Sequence, residues 1–323
     1  MKRCDMGKVI SVINWKGGVG KTTITHHIAV GLQKLEYSKE LGLEKYPKVL
    51  LLDADAQCNL SIACLGDNQF EDLTYKKDTP IPTIKDIFEK YLDDGTFDIE
   101  NNIILKEKVR SREPNYVFNH IDLVPSHPDL IYTDMFIAQH NTKPKPKIKP
   151  NLLQTDVYKF QILDAILKSV RDKYDYILID CPPNLNYITQ NALYASDYYL
   201  IPTIADKLSS YGIMAVSNAV NNLNNNFMAA SQDYNETKLL GIVLNNIREY
   251  RKKPKKSQFN IMQSLQQLFK NDVFSQYLTY GDGIPRASAM AYPVFALENK
   301  FANAKRQGDF LREISIEFVK RCR

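Results

Sequence analysis

KVISVINWKGGVGKTTITHHIAVGL, residues 8–32, is the stretch that decides the fold. An apolar run, a glycine-rich turn and a helix-forming segment follow one another in the order a phosphate-binding loop requires. Gly17, Gly18 and Gly20, with Val19 between them, let the backbone turn tightly and aim its N–H groups at an anion. The helix that begins near Lys21 adds the positive end of its dipole. The expected occupant is a triphosphate. Lys21 is expected on its β and γ phosphates, the Thr22 hydroxyl is expected to ligate a magnesium ion, Mg2+, and Val19 and Thr23 are expected in the nucleotide-binding set with the glycines.

Working outward, KVLLLDADAQCNLS (residues 48–61) is a continuous apolar run closed by acids, the pattern of a buried parallel strand that delivers Asp53 and Asp55 at its carboxyl end. YDYILID ends in the same way at Asp180, before Pro182 and Pro183. Further strands are expected over residues 198–203 and 238–246, with helical patterns between them. This alternation predicts an α/β fold, a doubly wound, mostly parallel sheet flanked by helices, in a single domain over residues 1–323. The loop helix is expected to run to about Lys39. The asparagine-rich NAVNNLNNNF (residues 218–227) is expected to close a helix into a loop.

Residues 67–150 read as an insertion on this scaffold. TIKDIFEKYLDD (residues 83–94) carries a helical apolar stripe after a threonine cap, IDLVPS is expected as a strand, and PDLIYTDMF opens a helix. Residues 97–119 between them are polar and charged. TKPKPKIKP (residues 142–150) alternates Lys and Pro, which makes neither helix nor central strand; it is a plain extended loop or a contact for an acidic partner.

Composition bounds the rest. The 323 residues are 44% hydrophobic and 24% charged, the balance of ordinary globular proteins, with a net charge of +5. Affinity for a polyanion then has to come from local patches. No apolar run approaches a membrane span, and the short start MKRCDMG leaves no room for a signal peptide, so a cytoplasmic location is expected. Cys4, Cys58, Cys64, Cys181 and Cys322 lack C-x-x-C spacing, so neither a zinc site nor a disulfide framework is indicated.

The literal pattern G-x-x-x-x-G-K-[ST] fails because Trp15 stands where its first glycine would fall, and a second lysine, Lys16, precedes the turn. The resulting K-G-G-V-G-K-T-T resembles the deviant Walker A of the ParA/MinD ATPases. D-A-D-A-Q-C-N, D-C-P-P-N-L, T-Q-N-A-L and the late I-P-R segment extend the resemblance over most of the chain outside residues 67–119. It implies an ATP- and Mg2+-dependent hydrolase, weak and stimulated by a partner, in which Lys16 reaches across a homodimer to the phosphates of the partner's ATP. It further implies that Asp53 and Asp180 hold the waters of the metal and that Asp55 positions the attacking water. Ala56 departs from the family's usual proline, which affects loop stiffness more than chemistry. Asn245, Pro285 and Arg286 fall where relatives contact adenine, although each reads equally well as a turn residue.

ParA proteins form an ATP sandwich dimer that binds duplex DNA without sequence preference, and a ParB-like partner triggers release, so that plasmids, chromosomes or organelles such as carboxysomes are segregated or positioned. The matching DNA surface in this chain is Arg248, Arg251, Lys252, Lys253, Lys255 and Lys256, facing the single acid Glu249; a solvated charged loop is the alternative. Arg306, Arg312, Lys320, Arg321 and Arg323 form a second basic group. The implied location is at the nucleoid. A MinD-like membrane-cycling ATPase is the runner-up, disfavoured because Phe310, Leu311, Ile314 and Phe318 make a core-facing stripe and no amphipathic tail is left after them.

Overall fold

The computed structural model describes residues 7–35, 41, 46–75, 81–111, 116–140 and 156–323; the Lys/Pro segment at 142–150 lies outside them. Strands β1 (Lys8–Val12), β2 (Val49–Asp53), β3 (Ile121–Val124), β4 (Tyr176–Asp180), β5 (Tyr198–Ile204) and β6 (Lys238–Asn245) form one sheet in the order β3-β2-β4-β1-β5-β6. Every pairing in it is parallel. Both faces of such a sheet are covered, which is why the central strands are mostly apolar, with Ser11 of β1 and Thr203 of β5 buried among them. The register sets Asp53 beside Asp180, and Asp180 beside Val12, so three strand ends deliver their last residues to one edge.

The period of two sends alternate side chains to different helix layers. Val9, Leu50 and Ile177 point into the layer of α4 (Ile84–Asp94), α6 (Thr133–Gln139), α7 (Ile162–Leu167), α8 (Tyr187–Ala195) and α9 (Ser209–Ala230). Ile10, Leu51 and Leu178 point into the layer of α1 (Lys21–Leu32), α2 (Asn59–Leu65) and α12 (Ala302–Arg321). α5 (Ile99–Asn102) and α10 (Lys256–Phe269) pack into the first of these layers, and α3 (Asp67–Tyr75) and α11 (Gly283–Ser288) into the second. Leu311, Ile314 and Phe318 are fully buried in α12, and Phe310 is half-buried against Tyr277. Gly31 lets α1 approach α12 closely: a Cβ there would lie 2.1 Å from Ser315 Oγ.

Two sequence expectations are corrected. Helix α1 stops at Leu32 instead of about Lys39, where Gln33 turns its amide to Gly31 and Val30 and donates through Nε2 to Pro47 O at 2.7 Å. The asparagine-rich segment does not end its helix; α9 continues to Ala230. Asn224 inside it is buried and satisfied by tertiary partners, donating to Thr237 O and accepting from Tyr234 and the Thr237 amide. Val216, Val220 and Phe227 then bury the face whose burial outweighs the weak helix propensity of asparagine. The polar stretch after Phe97 packs on the scaffold. Ile99, Ile103 and Val109 are buried, and Leu105 bridges to Leu123 of β3.

Candidate active site

The turn between β1 and α1 is fixed from both sides by asparagines. Asn14 accepts from the Lys16 amide at 2.9 Å and donates to Pro202 O of β5 at 2.8 Å. Asn245, at the end of β6, donates to Val19 O at 2.9 Å and accepts from the Asn246 amide. Gly20 has φ +92°, and a Cβ on it would sit 2.0 Å from the Asn245 amide, so the position requires glycine twice over. Gly18 also has a positive φ, +72°.

Lys21 is buried at the base of this turn, and burial lowers its ammonium pKa against the opposing pull of Asp180 and Asp55. Thr22 Oγ1 donates to Asp180 Oδ2 at 2.6 Å. The other oxygen, Asp180 Oδ1, is buried with no hydrogen-bond partner. Asp53 Oδ2 accepts from the Ser61 amide at 2.8 Å and its hydroxyl at 2.7 Å. Burial pushes Asp53 up to about 7, partly offset by Ser61, and raises Asp180 well above the carboxylate range, with Asp53 adding to the shift. Two buried carboxyls side by side beside one lysine make a strong position for a small cation.

Asp55 lies just past the strand end, half-buried at the wall of the cleft, with Oδ1 accepting from the Gln57 amide. The cleft has a volume of about 590 Å3. Gly17, Gly18, Gly20, Lys21, Thr22 and Thr23 line it on one side, and Asn245 and Pro285 on another. Val19 is buried behind it. Lys16 stands at the loop with its side chain 46% exposed and pairs with Asp206, just beyond β5. Arg286 is engaged elsewhere: its guanidinium pairs with Asp282 at 2.8 Å and covers Phe301. Asn245 lines the cleft, but its amide is committed to the loop, which makes it a positioning residue there.

Several site residues were missed in the sequence. Asp206 follows an apolar strand just as Asp53 and Asp180 do, so the signal was present. Asn14 and Ser61 gave no local signal, since their partners are far along the chain. His26, Tyr280 and Gln307 also line the cleft. His26 is buried with Nε2 unpartnered. His27 Nε2 accepts from the Val294 amide at 3.0 Å, which places its proton on Nδ1, facing Thr23 O.

The basic run folds into a hairpin. β7 (Glu249–Tyr250) pairs antiparallel with β8 (Lys253–Pro254), and Arg251 and Lys252 form its two-residue turn with φ of 50° and 63°. Lys255 sits at the N-terminal cap of α10 and Lys256 opens it. Glu249 does not neutralise these cations. It is held by Arg306 at 2.9 and 2.7 Å and by Tyr277 at 2.7 Å. Among the described residues, the ammonium groups of Lys252, Lys253, Lys255 and Lys256 have no acidic partner. In the second basic group, Arg312 is paired with Glu298 and Asp309, and Arg321 with Glu317.

A protein-family model described as an AAA domain matches residues 7–232. A chromosome partitioning protein, ParA, of Myxococcus xanthus is 29% identical over 215 residues, covering 67% of this chain and 58% of that protein. Among solved structures, a variant of McdA from Cyanothece in complex with ATP superposes with a TM-score of 0.66 at 16% identity, covering 95% of both chains. A plasmid partition protein from Borrelia burgdorferi does so at 0.59 and 22% identity, covering 98% of this chain and 99% of the other.

Proposed function

The chain belongs to the AAA-domain family, among its ParA/MinD-type ATPases, and from that premise we propose an ATP hydrolase that works as a positioning switch. Two ATP-bound copies meet face to face, bind duplex DNA without sequence preference, and separate when a ParB-like activator stimulates hydrolysis. The cargo is a plasmid, a chromosome or an organelle. The partition roles of the Myxococcus and Borrelia proteins support this reading. We take residues 1–323 as one domain with an insertion within 67–150.

The observation that carries it is the division of labour between two lysines of one turn. Lys21 is buried where the phosphates go, whereas Lys16 is 46% exposed and held only by a surface pair with Asp206. An exposed ion pair contributes about 0–1 kcal/mol, so a phosphate of a second copy competes for Lys16 at little cost.

The donor set fits Mg2+. Among the described residues no cluster of three His, Cys, Asp or Glu forms a metal cage. Mg2+ usually keeps several waters and few protein ligands. Thr22 would ligate it, and the orphaned Asp180 Oδ1, with Asp53 behind it, would hold its water shell. When bound, the metal neutralises developing charge on the phosphates. Lys21 and the loop amides hold the triphosphate, and Asp55 orients the attacking water at the cleft wall.

On the hairpin, clustered unpaired cations bind backbone phosphates through counterion release and read no bases. Among the described residues no helix is long and apolar enough to cross a membrane. The test is duplex DNA binding, measured by anisotropy on unrelated sequences with ATP, with ADP and without nucleotide. Binding is expected only with ATP, equal across sequences and falling steeply with salt. Nucleotide-independent or absent binding overturns the DNA half of the reading.

A further inference from the structure

Asn245 and Gln307 both line the cleft, and each is already hydrogen-bonded to the protein's own backbone. Asn245 is spent on the loop carbonyl of Val19. Gln307 accepts from the Ile284 amide at 2.8 Å and donates to Thr279 O at 3.0 Å and Gly281 O at 3.3 Å, clamping the backbone on either side of Tyr280. The same segment is fastened to the end of β6, where the Tyr280 amide donates to Ile247 O at 2.8 Å and the Ile247 amide to Leu278 O at 3.1 Å. A rigid backbone thus presents an aromatic ring that is itself 60% exposed while lining the cleft. Arg248 lies over that ring, with its guanidinium carbon 5.3 Å from the centroid.

We propose that Tyr280, backed by Arg248, is the platform on which the nucleobase stacks. This rests on the reading of the cleft as a nucleotide site and adds the element that recognises the base. A planar purine gains most from an exposed aromatic face next to an apolar wall, here Ile284 and Pro285. The guanidinium is a flat cation that stacks on the ring and polarises it, so ring and cation act as one surface. Arg248 is also the first cation of the hairpin sequence. It therefore belongs to the base site as well as to the basic surface, and links the two through a single side chain.

Stacking on an aromatic ring is worth a fold-change that can be separated from phosphate binding by a ligand that has no base. Calorimetric titrations would compare ATP with inorganic tripolyphosphate, both with magnesium, for the full chain and three variants. Tyr280→Ala is expected to weaken ATP about tenfold and leave tripolyphosphate within about twofold. Tyr280→Phe keeps the face and should bind both ligands like the parent. Arg248→Ala is expected to weaken ATP about threefold with tripolyphosphate unchanged. Equal ATP affinity for Tyr280→Ala and the parent, or equal losses for the two ligands, overturns the platform. A parent that binds neither ligand overturns it together with the ATPase reading. The ATP–tripolyphosphate split in a parent that binds no DNA supports the platform while removing the DNA half of the function.

Discussion

Lys16 and Lys21 share one turn and one chemical group, yet their surroundings give them different work. Lys21 is buried beside Asp180, and its removal leaves the phosphates without their internal counter-charge. Lys21→Ala is expected to abolish ATP binding, read by calorimetry or by the fluorescence of Trp15, the sole tryptophan, which stands beside the loop. Lys16→Ala removes only an exposed pair and should bind ATP within a few-fold of the parent while losing the ATP-dependent dimer in light scattering. If both variants dimerise with ATP as the parent does, the switch reading fails. The lysines and strand-end acids were legible because each sits in an unusual local pattern. Asn14 and Ser61 were not, because an isolated polar residue acquires its meaning only from a partner elsewhere in the chain.

At the level of the element, α1 connects the phosphate loop to the turn at Val294 through His27. Burial holds His27 at about 4 against an ordinary 6.5. The folded chain then keeps a neutral ring while the unfolded chain takes up a proton, so its contribution is full above about pH 6.5 and is lost as pH falls toward 4. Asp53, raised to about 7 from 3.8, runs the other way and loses its share as pH rises through that range. Comparing a variant with the parent cancels the aspartate. His27→Leu leaves the buried Val294 amide unpaired and should cost roughly 1–3 kcal/mol at pH 7.5. In urea unfolding at pH 5 the cost should be smaller, because the parent has by then lost the imidazole's share; a cost that does not change with pH would contradict the assignment. The hairpin is a second element with its own test. Lys252→Glu with Lys253→Glu reverses charge at an exposed turn, so ATP binding is expected to stay at the parent's level while duplex affinity falls by at least tenfold at low salt. Unchanged duplex affinity would move the DNA surface elsewhere.

Over the whole molecule, the sheet was legible because β2, β4 and β6 are near-continuous apolar runs ended by an acid or asparagine, and this pattern follows from burial on both faces. The sequence by itself determined the parallel α/β architecture, the phosphate turn with its two lysines, and the acids at the strand ends. These are local features, written in periodicity and spacing. Only the tertiary structure decided that Asp53 and Asp180 lie in register, that Asp206 holds Lys16, and that Tyr280 rather than Arg286 faces the cleft. It also decided that the asparagine-rich run stays helical and that Glu249 serves Arg306 instead of its basic neighbours. Each of these depends on a partner many residues away. Sequence spacing constrains neighbours along the chain, whereas burial and hydrogen-bond satisfaction are settled by the packing of distant segments.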